Sequence, residues 1–106
     1  MFVGVLRLTF HVPHARSLKD KRRVVQKFRD RVRARFDVSI AEVAEQDKLQ
    51  RAGFGVAMVS GDAAVCDSVL EHVAQVAATQ EDAVLTDRAT EVMTLGDDLY
   101  GDEDDR

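Results

Sequence analysis

The densest cluster of side chains that could do chemistry lies between Arg16 and Phe36, and its chemistry is that of phosphate binding. Residues 16–35 hold ten of the fifteen Lys and Arg residues of the chain against two acidic residues, a formal charge of +8. Arg predominates, and its planar guanidinium suits bidentate contacts with phosphate oxygens. This charge exceeds what solubility requires and predicts a surface for the phosphate backbone of RNA. The predicted contacts are Lys19, Arg22, Arg23, Lys27, Arg29, Arg31 and Arg33.

An amphipathic helix is expected to position these cations. Ser17 is a good N-cap, and Asp20 three residues later makes a variant of the capping box. Apolar residues follow at spacings of seven, three, four and four, which places them on one helix face: Leu18, Val25, Phe28, Val32 and Phe36. Lys21 falls in the same sector, so we expect its stem to pack at the edge of the core and its ammonium to reach water.

Around this helix the cations divide into two rows. Arg22, Arg29 and Arg33 are spaced by seven and four residues and form one flank, whereas Lys27 and Arg31 lie on the far side. The helix dipole disfavours positive charge in the first turn, so local helix stability does not explain these residues. Two interpretations stay open: a phosphate-binding surface, or a solvated face that keeps the protein soluble.

Other candidate chemistry is weaker. His11 and His14 straddle Pro13 with no further Cys or His nearby, so we expect no metal site. Cys66 has no basic neighbour in sequence and is predicted to be a small buried apolar residue. No nucleophile elbow or glycine-rich phosphate loop occurs, and the sequence predicts neither an enzyme nor a cofactor.

A polar group surrounds the connection between two predicted strands: Glu42, Asp47, Gln50 and Arg51. These side chains could form a functional network. The alternative, which we favour, is a set of hydrogen bonds that stabilises the turn.

Length and composition indicate one domain over residues 1–95, followed by an acidic tail over residues 96–106. A single cysteine and the lack of a signal-like or membrane-spanning apolar run predict a cytoplasmic protein. The net charge of −4 hides a tail whose last ten residues carry −5. For this tail we predict disorder, and three further roles stay open: weak cation binding, mimicry of nucleic acid, and folding back onto the basic helix in competition with RNA.

Periodicity predicts the order β-α-β-β-α-β. Four segments have strand-like composition: Phe2–Val12, Asp37–Val43, Arg51–Ser60 and Ala83–Leu95. A second helix begins after Gly61-Asp62 and runs to about Thr79, with an apolar stripe that includes Val65 and Leu70. Right-handed crossovers give an α+β, ferredoxin-like plait in which both helices cover one face of a four-stranded antiparallel sheet.

The second face of that sheet is predicted to be open. Its lining is flat and partly apolar, which suits packing against a second copy or another protein; the predicted interface residues are Val3, Val5, Gly55, Ala57 and Val59. RNA stacking on this face, as in RNA-recognition motifs, is not expected, because strand alternation turns Phe54 and Phe10 towards the core.

Two stretches resemble the YlxP-like bacterial family of domains of unknown function. The first is Ser17-Leu18-Lys19-Asp20-Lys21-Arg22-Arg23, and the second is Ser39-Ile40-Ala41-Glu42-Val43 with Asp47, Gln50 and Arg51. Val3-Gly4-Val5-Leu6 and Gly55-Val56-Ala57 are also similar, so the resemblance covers roughly residues 2–95. One departure is Leu49, where relatives often have Trp.

Members of this family are often encoded beside translation initiation factor two and ribosome-binding factor A, which implies a role near the ribosome or RNA. Together with the basic helix, the resemblance favours a non-enzymatic protein that binds RNA or a ribosomal subunit. The alternative is a homodimeric protein-interaction module that uses the open sheet face. No small-molecule substrate and no membrane partner are indicated.

Overall fold

The computed structural model describes residues 1–101 and has one antiparallel sheet with strand order β2-β3-β1-β4. Its elements are β1 (Phe2–His11), α1 (Leu18–Arg35), β2 (Ser39–Ala44), β3 (Arg51–Ser60), α2 (Ala63–Ala78), β4 (Val84–Thr94) and a 3₁₀ helix (Asp97–Tyr100). This is the predicted ferredoxin-like plait. Strand β2 begins two residues later than predicted, because Phe36 still caps α1 through its backbone N–H to the Val32 carbonyl.

Strand β1 occupies the centre of the sheet and pairs along its whole length with both β3 and β4. Strands β2 and β3 form the predicted antiparallel hairpin, with an irregularity between Glu42 and Ala44. The register alternates the side chains of β1, so that Leu6, Leu8 and Phe10 are buried beneath the helices. The other face of the sheet is left without a covering layer by the described residues.

Three aromatic rings form the centre of the core. Phe28 of α1 lies 5.0 Å from both Phe10 and Phe54, and the latter two are 5.7 Å apart, measured between ring centroids. All three pairs meet edge to face, the arrangement that the ring quadrupole favours. Phe10 and Phe54 are each 2% exposed, which confirms that neither is available for base stacking on the open face.

Two residues predicted for the apolar stripes are more exposed than expected. Leu18 is 44% exposed and Val65 is 43% exposed, so placing them in the core was wrong. Leu18 is the first residue of α1, and Val65 lies one position before Cys66, about 100° around the helix from it. On α2 the buried face instead uses Cys66, Leu70 and Val73, each 0% exposed, which confirms the interpretation of Cys66 as an apolar residue.

The segment after β4 is held against the start of β1. The Leu95 N–H donates to the Met1 carbonyl oxygen, and the amino terminus contacts the Asp97 carboxylate. Gly96 has a φ of +81°, a conformation that glycine adopts easily, and it turns the chain into the 3₁₀ helix. The predictions made for residues 102–106 of the acidic tail lie outside the described residues.

Candidate nucleic-acid interface

Helix α1 begins where the sequence predicted, and the side chains of Ser17 and Asp20 form its N-terminal cap. Ser17 Oγ accepts a hydrogen bond from the Asp20 N–H at 3.1 Å, and the Asp20 carboxylate accepts one from the Arg16 N–H at 3.0 Å. The first of these bonds satisfies a backbone donor of the first turn, and the second ties the residue before the cap to the helix. The cap fixes the rotation of α1, with Val25, Phe28 and Val32 turned to the core.

Lys21 is buried, and the expectation of a solvated ammonium was wrong. The residue is 2% exposed; its Nζ donates to the Glu45 carbonyl oxygen at 2.5 Å and lies 3.0 Å from Glu42 Oε2. Among the described residues no donor meets Glu42 Oε2 in good hydrogen-bond geometry, so this contact is a charge pair. The cause is tertiary: the β2–β3 connection folds beneath the first turns of α1, helped by a φ of +61° at Glu45.

The polar residues of that connection have structural contacts. Gln50 Nε2 donates to the carbonyl oxygens of Pro13 and Ala15 at 3.5 and 3.4 Å, and the Gln50 carbonyl accepts from the Val12 N–H at 2.9 Å. Arg51 lies 3.7 Å from the Glu45 carboxylate. These contacts support the turn-stabilising interpretation of Glu42, Gln50 and Arg51. Asp47 is exposed, and nothing in the structure gives it a role.

The flank of α1 that carries Arg22, Arg29 and Arg33 faces β2. Arg22 is exposed, while Arg33 Nη2 donates to the Ile40 carbonyl oxygen of β2 at 3.3 Å. Arg29 is half-buried, and its Nε has no hydrogen-bond partner among the described residues. Of the three, Arg22 makes the least contact with the fold.

The far side of α1 faces α2, and Arg31 is anchored there. Its Nη1 donates to Gln80 Oε1 at 2.8 Å and to the Val76 carbonyl oxygen at 3.5 Å, and its Nη2 donates to Thr79 Oγ1 at 3.0 Å. Lys27 lies 3.6 Å from the Asp82 carboxylate. The guanidinium of Arg31 therefore compensates the negative C-terminal end of α2.

Lys19 and Arg23 lie on the outer side of α1 and are exposed. The two acidic residues of the segment are used locally, since Asp20 accepts from the backbone and Asp30 accepts from Gln26 Nε2 at 2.8 Å. Within residues 1–101, only Lys21 and Lys27 of the ten cations between positions 16 and 35 form an ion pair with a carboxylate. Eight of the ten positive charges are therefore not neutralised there by the fold.

The open sheet face carries all five residues predicted as an interface: Val3, Val5, Gly55, Ala57 and Val59. The register places Val59, Val3 and Met93 side by side in one row across three strands. Val59 is 64% exposed, and Val5 in the next row is 38% exposed. Further along the face, Arg7 and Asp87 form an exposed ion pair at 2.7 Å. The end of the face with Val59, Val3 and Met93 is thus apolar, whereas Arg7 and Asp87 place charge further along it.

Metal-ligating clusters and membrane-spanning helices are both absent from residues 1–101. No group of three or more His, Cys, Asp or Glu side chains within residues 1–101 could hold a metal ion. His11 Nδ1 lies 3.1 Å from the Gln50 carbonyl oxygen, so this ring contacts the backbone of the β2–β3 connection. No helix in this part of the chain is long and apolar enough to cross a membrane.

Comparison with known proteins gives a family but no activity. The family described as "Protein of unknown function (DUF503)" matches residues 3–90. The chain is 42% identical over 59 residues to "Uncharacterized protein YlxP" of Bacillus subtilis (strain 168), a match that covers 56% of this chain and 64% of the relative's length. A solved structure, "De novo designed protein Foldit4", is similar in fold, with a TM-score of 0.52 and 10% identity over 91% of this chain and 100% of that one. The chain belongs to the DUF503 family of proteins of unknown function.

Proposed function

We propose that this protein is a non-enzymatic, cytoplasmic protein that associates with RNA or a ribosomal subunit and binds the phosphate backbone through α1. One observation carries the proposal: eight of the ten cations of residues 16–35 have no carboxylate partner within residues 1–101. A segment with this much uncompensated charge attracts polyanions, and the release of their counterions makes the binding sensitive to salt.

The predicted binding residues differ in how much each of them contacts the rest of the fold. Arg31, Arg33 and Lys27 also contact α2, β2 and the α2–β4 connection, so their loss would disturb packing as well as binding. Lys19, Arg22 and Arg23 are exposed and have no side-chain hydrogen bond or ion pair among the described residues. The sharpest test therefore uses these three residues near the N-terminus of α1.

The triple variant Lys19→Glu/Arg22→Glu/Arg23→Glu is expected to lose most of its affinity for structured RNA or ribosomal subunits. Three phosphate contacts would be removed, so the slope of log K against log salt should become shallower by about 2–3. Acidic residues near a helix N-terminus are favourable for the helix dipole, so the fold should be retained. Filter binding or fluorescence anisotropy over a series of salt concentrations measures both quantities.

A control with the same change in net charge is Arg7→Glu/Lys48→Glu/Arg88→Glu, which alters exposed positions outside α1. The ion pairs of Arg7 and Arg88 are on the surface and contribute little to stability. This control should keep the salt slope of the wild type. Equal losses in both variants would show that only net charge matters, and a wild-type protein without any salt-sensitive RNA binding would contradict the proposal.

A second function, that of a homodimeric interaction module, is favoured by the apolar row on the open sheet face. Val59 and Met93 are 64% and 37% exposed beside Val3, and such an apolar patch is typical of a surface that a partner covers. A second copy fits because the same patch would supply both sides of a two-fold interface.

If the protein dimerises through the open sheet face, Val5→Asp is expected to shift the dimer to a monomer, because a carboxylate would be desolvated within the interface. Sedimentation velocity from micromolar to millimolar concentration measures the shift. Val65→Asp is the matched control, since Val65 has a similar exposure (43% against 38%) but lies on α2. A wild type that stays monomeric over this range would exclude self-association through this face.

A further inference from the structure

The groove between α1 and α2 is a second concave, positively charged surface, separate from Lys19, Arg22 and Arg23. Its volume is about 500 Å³, and it is lined by Arg31, Arg35, Phe36, His72, Gln75, Val76 and Thr79. It adjoins a smaller concavity of about 250 Å³ that shares Arg31 and Thr79 and also contains Lys27, Gln80 and the acidic Glu81. Lys27, Arg31 and Arg35 are four residues apart, so a row of cations follows the groove along α1.

The charge of the larger groove has one sign. Two arginines and a histidine line it, and none of its seven lining residues is acidic. Glu71, the sequence neighbour of His72, is engaged elsewhere, with an oxygen 3.0 Å from Arg88 Nη2. A concave surface with cations and no opposing carboxylate favours an anionic ligand over a neutral or cationic one.

Arg31 is held in place before any ligand arrives. Its three hydrogen bonds to Val76, Thr79 and Gln80 fix the guanidinium against the end of α2, and Thr79 Oγ1 donates in turn to the Val76 carbonyl oxygen at 2.9 Å. A ligand therefore meets this charge without the entropy cost of ordering a long side chain. Arg35 and His72 are exposed and keep donors for direct hydrogen bonds to the anion.

The floor of the groove is suited to a planar group. Phe36 is half-buried, and the Arg35 guanidinium lies 5.5 Å from the centroid of its ring. Val76 adds an apolar surface, while Gln75 and Thr79 provide polar atoms at the rim. Guanidinium and aromatic planes are the surfaces on which nucleobases stack, and amide side chains form hydrogen bonds with base edges.

We propose that this groove binds a nucleotide, with its phosphate near Arg31, Arg35 and His72 and its base against Phe36 and Val76. Two sources share this chemistry: a free mononucleotide and the 5′-phosphorylated end of an RNA strand. The site uses other side chains than the surface tested under the proposed function. A test of nucleotide binding in the groove therefore does not depend on the result of the RNA-binding test with Lys19, Arg22 and Arg23.

Titration of the full chain with adenosine 5′-monophosphate, followed by ¹H–¹⁵N NMR, tests the site. The backbone amides of Phe36, His72, Gln75 and Thr79 are expected to shift, with an affinity well above that for inorganic phosphate or adenosine. Arg35→Ala/His72→Ala should weaken binding by about tenfold or more, because charged hydrogen bonds are lost. Both replaced side chains are exposed, so the amide spectrum should otherwise remain that of the folded protein.

Arg16→Ala/Lys48→Ala is the matched control, because it removes two exposed positive charges that lie outside both the groove and the predicted RNA-binding residues. This control should leave mononucleotide affinity unchanged. Shifts that map to residues 19–23, or inorganic phosphate that binds as tightly as the nucleotide, would overturn the assignment. Tighter binding of a 5′-phosphorylated pentauridylate than of the mononucleotide would identify an RNA end as the ligand, and the reverse order would identify a free nucleotide.

Discussion

Replacing Lys21 by alanine is expected to lower the free energy of unfolding by roughly 3 kcal/mol, a large effect for a lysine. The substitution removes the hydrogen bond to the Glu45 carbonyl oxygen and leaves the Glu42 carboxylate, whose side chain is 19% exposed, without its cation. A buried charge that has lost its partner costs far more than the pair itself contributes. Urea denaturation followed by circular dichroism measures the change.

The double variant Lys21→Met/Glu42→Gln separates the charge pair from side-chain packing. Methionine fills the channel that the lysine stem occupies, and glutamine carries no charge, so most of the lost stability should return. Lys48→Ala, an exposed lysine of the β2–β3 connection, should change stability by less than about 0.5 kcal/mol. A Lys21→Ala variant as stable as Lys48→Ala would refute the structural role and would return Lys21 to the candidates for ligand binding.

Replacing Phe28 by alanine is expected to destabilise the protein by about 3–5 kcal/mol. The ring is 1% exposed and makes edge-to-face contacts with Phe10 and Phe54, so its removal leaves a cavity where α1 crosses the sheet. Thermal and urea unfolding both report the loss. Because α1 carries the candidate binding surface, the variant should also bind RNA less well at temperatures where part of the population is unfolded.

Phe28→Leu is the appropriate comparison, since it keeps an apolar side chain and loses only part of the volume. It should cost clearly less than Phe28→Ala, and RNA affinity per folded molecule should equal that of the wild type. A stable Phe28→Ala variant that has lost RNA binding would contradict this assignment, because it would give a buried ring a direct role in recognition.

The residues that carry the family resemblance account for folding more than for recognition. Ser17 caps α1, Lys21 binds the β2–β3 connection, and Gln50 ties that connection to the segment before α1. Each of these interactions is satisfied within the chain. The partner surface is therefore better sought among side chains that the fold does not use, such as the exposed Arg22 and Arg23 of α1 and Arg35 in the groove.

Much of the architecture was predictable because it follows from local periodicity. The period of two in β1 and β3 correctly assigned Leu8, Phe10 and Phe54 to the core, and Ser17 correctly marked the start of α1. The prediction failed at Leu18 and Val65, because periodicity identifies a helix face but not which residues at the edge and end of that face the rest of the fold covers.

The candidate sites likewise have features that follow from the local sequence and features that depend on tertiary contacts. The sequence by itself determined the cationic composition of α1, the face it buries and the β-α-β-β-α-β order that yields the plait, since all three depend on residue types at short spacings. Only the tertiary structure decided what each cation does: Lys21 is paired with Glu42, Arg31 is anchored to α2, and Arg22 is left exposed. The physical reason is distance along the chain. The partners of Lys21 and Arg31 are more than twenty and more than forty residues away, and no local pattern records which distant carbonyl or carboxylate a long side chain will reach.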